Sequence, residues 1–271
     1  MILWLASYPK SGNTWVRAFL TNYFSNKSEN IFNDLKEIEN FPNKKLFDGI
    51  VNLELIKNNK LEIFKHYITA QEKLNLNNKL NIVKTHNFAG SINGFPFSNL
   101  SNTCGFIYIV RDPRSVLVSY SHYSQLPFQK TLKSMLNQNL ISMSNEIPEA
   151  RLDWKTHVRS WLNNSWPRIL IKYEDLHKDP FKYFTQILTF ISKFKKVEIE
   201  ESKIKKSIEN CSFDKLSRLE KTKGFKEKKN INTKFFRKGQ IDEWKKVLPN
   251  DLIIQIESSF YDEMKKLGYL Q

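Results

Sequence analysis

Cysteine is nearly absent: Cys104 and Cys211 are the only two in 271 residues, which leaves neither a disulfide framework nor the spacing of a metal site. A reducing, intracellular setting is the default for such a chain. Long apolar runs are missing too. No stretch reaches the about 18 apolar residues of a membrane-spanning helix, and no basic region precedes an apolar segment at the N-terminus, so the sequence predicts a cytoplasmic protein with no membrane span. Acidic residues are few beside basic ones, 28 against 43, for a formal charge of +15. That balance favours an anionic partner. Lysine, however, is spread along the chain with Asn and Ile, as A/T-rich codon usage would also give, and no nucleic-acid partner is expected. The length suits one domain, 1–271, with insertions.

The N-terminal stretch ILWLASYPKSGNTWVR organises the rest. A short apolar run, Ile2 to Ala6, has the length of a buried strand and stops at Ser7-Tyr8-Pro9. A polar loop with Lys10, Ser11, Gly12, Asn13 and Thr14 then opens into a helical pattern of Trp15, Val16, Phe19 and Leu20. A helix start offers unpaired backbone N–H groups and a positive dipole end. Gly12 lets a ligand approach the backbone, and Lys10, Ser11 and Thr14 add donors. Such a loop suits a phosphate or sulfate. The nucleotide-phosphate pattern G-x-x-x-x-G-K-[ST] is absent, because Lys10 precedes the loop's only glycine.

Residues 26–81 are polar, Asn/Lys-rich and weakly periodic, with amphipathic pieces around Ile50 to Ile56 and Leu61 to Ala70, and read as a helical excursion that covers the core or walls an acceptor pocket. A strand then ends in Lys84-Thr85-His86. Alternation puts Lys84 and His86 on one face and Thr85 on the other. Gly105 to Val110 is the clearest core strand. It runs into Arg111-Asp112-Pro113-Arg114 and a helix from Ser115 through Tyr123, with Asp112 suited to the cap and Pro113 to the first turn. Arg111 leaves the strand end to meet an anion, with Ser119 further along that helix. Residues 125–149 read as loosely structured, a second acceptor-side insertion. Trp154, His157, Val158 and Trp161 then form an i, i+3, i+4, i+7 stripe that reads as core packing. Arg168 to Lys172 is a strand closing on Tyr173-Glu174-Asp175-Leu176, and Pro180 opens an amphipathic helix through Ile191. Lys221 to Lys234 is a lysine-rich, nearly structureless run. It exits into Phe235-Phe236-Arg237-Lys238-Gly239-Gln240, where two cations beside a flexible glycine suit a lid, 221–240, that closes on a phosphate. A terminal helix carries Leu252, Ile256, Phe260, Met264 and Leu267.

Strands alternating with helices predict an α/β fold, a central parallel sheet flanked by helices on both faces. Ligands of such sheets bind outside the carboxyl ends of the strands. YPKSGNT, KTH, RDPR and YEDL each follow or close a different strand at that end.

The chain resembles the cytosolic-type sulfotransferases that use 3′-phosphoadenosine-5′-phosphosulfate (PAPS), and the motifs extend from Tyr8 to Trp244. YPKSGNTW is similar to their phosphosulfate loop, IVRDPRSVLVSYSHY to their 3′-phosphate segment and FRKGQIDEWK to their lid motif RKGxxGDWK. The resemblance implies a P-loop-like fold. It implies that Lys10, Ser11, Gly12, Asn13 and Thr14 hold the 5′-phosphosulfate and that Trp15 stacks on adenine. Arg111 and Ser119, with Arg237, Lys238 and Gly239 from the lid, would hold the 3′-phosphate, and Tyr173 would meet the adenine edge. Asn210-Cys211-Ser212-Phe213 resembles the family's N-T-S-F adenine segment, with Phe213 on the other side of the base. In the implied reaction Lys10 stabilises the leaving oxygen, Lys84 and Ser119 assist, and His86, with an ordinary pKa near 6.5, takes the proton of the acceptor hydroxyl. 3′,5′-Adenosine bisphosphate (PAP) is the product, and no metal is required. The acceptor is a small-molecule, sugar or lipid hydroxyl.

Some positions depart from the family pattern. Asp242 and Glu243 stand where the lid motif has glycine and aspartate, and Cys211 replaces a threonine. The dimer motif KxxFTVxxxxE of animal members does not follow Trp244. Two other readings of the loop are a P-loop phosphotransferase, which lacks its GK[ST] here, and a non-catalytic nucleotide- or nucleic-acid-binding protein, which leaves Lys10 and His86 unexplained.

Overall fold

The structure, a computed structural model, describes residues 1–25, 31–52, 54, 56, 59–144, 146–228 and 233–270. The start of the 26–81 excursion, part of its Ile50 to Ile56 piece, and residues 229–232 of the lysine-rich run lie outside the described residues.

The strands in chain order are β1 (Ile2–Ser7), β2 (Asn40–Phe41), β3 (Asn81–Thr85), β4 (Ser91–Ile92), β5 (Phe95–Pro96), β6 (Thr103–Val110), β7 (Ile141–Ser144), β8 (Ile147–Ala150) and β9 (Arg168–Lys172). Five of them form a parallel sheet in the order β2-β3-β1-β6-β9, flanked by helices, and β4-β5 and β7-β8 are antiparallel pairs. Every residue of β1 is buried, which is why it is apolar throughout from Ile2 to Ala6 rather than alternating. Register aligns Ala6 of β1 with Thr85 of β3, and Ser7 with Ile109 of β6. The carboxyl ends of these three strands therefore share one edge.

The four strands read from the sequence are all present, while β2 was not foreseen. Two residues are too short for a local pattern, and β2 exists because Asn40 and Phe41 pair with Lys84 and Thr85. The 125–149 segment is also more ordered than its sequence suggests. It holds a helix, Phe128–Met135, and the β7-β8 hairpin. The expected single terminal helix is two, Asn250–Ser259 and Tyr261–Lys266, separated at Phe260. The expected Asp112 cap is present, accepting from the Arg114 N–H at the start of Pro113–Ser124; Pro180 opens its helix as expected, and Asp179, not foreseen as a cap, accepts from the Lys182 N–H at the start of Pro180–Ile191.

The described residues group into two compact units. One comprises Met1–Tyr8, Glu39–Ile109 and Ser134–Leu170. In it Trp4 is fully buried against Phe41 and Phe97, and its Nε1 donates to Thr103 Oγ1 at 2.8 Å. The Trp154–Leu162 helix turns its stripe inward, so that Trp161 packs on Phe106 and Tyr108 and donates to the Asn87 carbonyl at 2.9 Å. The other unit comprises Pro9–Ile38, Val110–Lys133 and Ile171–Gln271. Its helix Asn13–Ser25 stacks Phe19 on Phe184, ring centres 3.8 Å apart. Buried Arg17 on the same helix donates to the Leu35 carbonyl and pairs with Glu227 at 2.6 Å. Buried Arg114 binds Asp112 through a guanidinium edge, donates to Glu257 and to the Tyr269 carbonyl, and lies 3.9 Å over the Trp244 ring. Among the described residues no helix is long and apolar enough to cross a membrane.

Trp161→Ala removes a buried indole and one hydrogen bond together, and large-to-small changes of this kind cost about 3–5 kcal/mol. Urea denaturation should register a loss in that range, with Trp161→Phe retaining most of the packing. Wild-type stability in the alanine variant would mean that the stripe is not core.

Candidate active site

The side chains singled out from the sequence fall into two groups, one in each unit. In the second unit the loop after β1 bends through left-handed backbone at Lys10 (φ +68°) and Gly12 (φ +104°). Gly12 is required twice over. Its φ disfavours a side chain, and a Cβ would stand 2.6 Å from Cδ2 of Tyr173. The Gly12 carbonyl accepts from Trp15 and Val16, which starts the helix, and no acidic residue occupies that helix's first turn to offset its positive end. Ser11 is fully buried, and its hydroxyl has no hydrogen-bond partner among the described residues. Lys10 Nζ sits 3.8 Å from the ring centre of Phe235 and 4.3 Å from that of Tyr123. Sequence reasoning assigned neither ring a role. Glu220, itself buried, fixes one of them by accepting the backbone N–H groups of Phe235 and Phe236.

Arg111 ties these segments together. Its guanidinium donates to the Lys10 carbonyl at 3.2 Å and the Gln240 carbonyl at 3.0 Å, and lies 4.2 Å over the Tyr173 ring. Its Nε is buried without a partner among the described residues. Tyr173 Oη donates to the Gly239 carbonyl, and Trp15 meets the Tyr173 ring edge-on. Gly239, at φ +63°, leaves a cradle: a Cβ there would stand 2.5 Å from Phe213. Lys10, Gly12, Trp15, Arg111, Tyr173, Phe213 and Gly239 are thus linked through contacts inside one unit. Thr14 and Asn13 are buried in the first turn of the helix. Ser119 is half-buried on Pro113–Ser124 and makes no hydrogen bond to this group among the described residues. Cys211 is fully buried, its thiol pushed up by burial, and its N–H closes the preceding helix. Ser212 stands at the start of Phe213–Lys223 without capping it through its side chain.

Arg237 and Lys238, the cations of the expected lid, have a partner that the sequence did not reveal. Both arms of the Arg237 guanidinium donate to the two oxygens of Glu243, and Lys238 Nζ donates to Oε1 at 2.8 Å. Burial alone would raise the Glu243 pKa, but hydrogen bonds from Arg237 and Lys238 outweigh it and hold the carboxyl at about 2. Asp242 adopts φ +62°, a left-handed conformation that accounts for the glycine of the motif and that aspartate tolerates better than most residues.

In the first unit, alternation at the end of β3 is as expected: Thr85 is buried, and Lys84 and His86 are half-buried. His86 Nδ1 lies 2.7 Å from the Ser7 carbonyl. A carbonyl only accepts, so Nδ1 carries the proton, and Nε2, which has no partner among the described residues, presents its lone pair. Burial, and after it the Lys84 charge, hold His86 well below the ordinary histidine range, against the contrary pull of the Ser7 carbonyl. The backbone around it is clamped. The His86 N–H donates to Glu149 Oε1, and its carbonyl accepts from His157 Nε2 at 3.2 Å. Nδ1 of His157 in turn accepts from the Tyr108 hydroxyl at 2.8 Å, and burial holds His157 at about 3. The stripe read as packing therefore also supports the strand end. Glu149 was missed because its backbone lies in the unforeseen hairpin. Its carboxyl is pushed up by burial and pulled back by Arg151 and Lys84.

Comparison with known proteins matches residues 2–268 to the sulfotransferase domain family. Cytosolic sulfotransferase 17 of Arabidopsis thaliana is 26% identical, the alignment covering 98% of this chain and 75% of that protein. Flavonol 3-sulfotransferase of Flaveria bidentis is 27% identical over 98% of this chain and 82% of its own length. Among solved structures, mouse sulfotransferase SULT7A1 complexed with PAP superposes with a TM-score of 0.65 at 20% identity, covering 97% of this chain and 83% of the other. A match of this extent displaces the phosphotransferase and non-catalytic readings of the loop. With a family model spanning nearly its whole length, the chain belongs to the sulfotransferase domain family.

Proposed function

We propose that this PAPS-dependent sulfotransferase works as one catalytic domain, 1–271, and transfers the sulfuryl group to a hydroxyl of a small-molecule, sugar or lipid acceptor, with His86 as the base. The segments 26–81 and 125–149 wall the acceptor, and 221–240 closes over the nucleotide. The observation that carries the base assignment is the His86–Ser7 hydrogen bond, which leaves an unprotonated Nε2 on a ring that stays neutral at neutral pH.

The residues present fit the nucleotide. Buried Ser11 Oγ and Arg111 Nε lack partners among the described residues, and Gly12 and Gly239 leave room that a Cβ would fill. Lys10, Ser11, Gly12, Asn13 and Thr14 hold the 5′-phosphosulfate. Trp15, Tyr173 and Phe213 bind the adenine, with Cys211 and Ser212 lining that segment. Arg111, Ser119, Arg237, Lys238 and Gly239 take the 3′-phosphate.

In the reaction, the acceptor oxygen bonds to sulfur as the bond from sulfur to the PAP oxygen breaks. His86 Nε2 receives the hydroxyl proton, Lys10 meets the charge on the departing oxygen, and Lys84 steadies the sulfuryl oxygens. The names of the relatives, cytosolic sulfotransferases, support a cytoplasmic setting.

Incubation with PAPS and pooled hydroxyl compounds should release PAP together with products heavier by one SO₃. Failure to form either, with no calorimetric binding of PAP, overturns the assignment. Gly12→Ala and Arg111→Ala should each weaken PAP binding by about ten- to a hundredfold, the scale of overpacking or of a lost charged hydrogen bond. Undiminished affinity would remove that residue from the nucleotide site. His86→Asn should lower turnover by about 10²–10⁴, the usual contribution of a general base, with PAP affinity unchanged, and full turnover would mean a different base. The base must be neutral and its pKa is lowered, so the acid limb of kcat should have its midpoint below pH 6.5. A midpoint above that value counts against His86.

A further inference from the structure

The clasp between Glu243 and the lid cations is built rather than incidental. Glu243 follows Arg237 by six residues, and the chain between them turns through left-handed backbone at Gly239 (φ +63°) and Asp242 (φ +62°). The first of these is packed on Phe213, and the second is tied to Lys245, Nζ to Oδ2 at 3.0 Å. The curl brings a single carboxylate against both cations. Its side chain is only 11% exposed, against 25% for Arg237 and 49% for Lys238. A two-point carboxylate–guanidinium pair uses the donors that would grip a phosphate, because both ligands present paired oxygens to the same planar fork.

We propose that Glu243 competes with the nucleotide's 3′-phosphate for Arg237 and Lys238, and so sets how strongly the protein holds a nucleotide that carries this group. The inference rests on the reading that these two cations meet the 3′-phosphate. A phosphate brings nearly two negative charges and three acceptor oxygens, against one charge and two oxygens for Glu243, so it opens the clasp. Part of its binding energy goes into doing so, and apparent affinity falls with the fraction of protein whose clasp is open. A nucleotide without a 3′-phosphate leaves the clasp closed and bears no such cost. Weaker retention of PAP than the cations alone would give speeds departure of the product, a step that limits many transferases.

The test is calorimetric titration of wild type, Glu243→Gln, Glu243→Ser and Arg237→Ala with PAP and with adenosine 5′-monophosphate, each variant first shown to unfold cooperatively. For a clasp closed about nine-tenths of the time, Glu243→Gln should bind PAP about tenfold more tightly. Glu243→Ser should do at least as much, and the affinity for adenosine 5′-monophosphate should stay at its wild-type value in both. PAP affinity that is unchanged or weaker in both Glu243 variants, while Arg237→Ala still weakens it, overturns the competition and leaves Glu243 as a support that orients Arg237. If Arg237→Ala leaves PAP and the monophosphate equally unaffected, the 3′-phosphate assignment itself falls and the inference falls with it.

Discussion

Arg111 is the residue on which the proposed nucleotide side depends. It is buried to within a tenth of its surface, and it joins the loop after β1, the segment after β9 and the lid through two carbonyls and one ring. Three segments far apart in sequence are thus held by one guanidinium that forms no ion pair among the described residues. A buried charge with no carboxylate in direct contact is costly. The carbonyls, the Tyr173 face and the longer-range pull of Glu174 lower that cost, so an anion in the proposed site would meet a cation already desolvated. The neighbouring Asp112 and Arg114 show the other solution: they neutralise each other and, with Glu257 and the Tyr269 carbonyl, brace the same turn.

Around His86, the proposed base, backbone groups do the positioning. The Ser7 carbonyl sets the proton of His86, Glu149 takes its N–H, and His157 donates to its carbonyl. Because the His86 carbonyl can only accept, His157 carries its proton on Nε2, and its Nδ1 is then free to accept from the Tyr108 hydroxyl, which can donate or accept. The order of protons along this chain is fixed by its two carbonyls, those of Ser7 and His86. A neutral His86 follows from the same surroundings, since burial and Lys84 both oppose its charging.

Much of this was legible in the sequence. The four strands that carry YPKSGNT, KTH, RDPR and YEDL announce themselves as apolar runs, and Asp112, Pro113 and Pro180 mark helix starts through local rules. What stayed hidden is non-local. β2 is a strand only through its pairing with Lys84 and Thr85, and the β7-β8 hairpin contains Pro148 and a buried Glu149, neither of which reads as strand. Alternation gave the face of His86 but not its tautomer, which is set by a carbonyl 79 residues away. His157 read as packing because its spacing is that of packing, and the structure makes it both. Asp242 and Glu243 read only as departures from the family's lid motif, whereas in the structure Asp242 takes up the left-handed turn and Glu243 pairs with Arg237 and Lys238.

The cations of the second unit sort by what faces them. Arg17 meets Glu227, and Arg114 meets Asp112 and Glu257. These pairs hold elements together and have little field left over. Lys10 instead rests on Phe235 and Tyr123, and Arg111 on Tyr173. An aromatic face attracts a cation through its quadrupole and contributes no net charge, so these ring contacts fix a cation in position without themselves neutralising it. That suits the proposed role of meeting a phosphosulfate. Arg237 and Lys238 break the rule, being assigned to a ligand yet paired with a carboxylate. They also sit on the most exposed part of the group, where a closed ion pair can open into water at modest cost. An aromatic support suits a cation that must stay charged and still, and a carboxylate suits one that must be released.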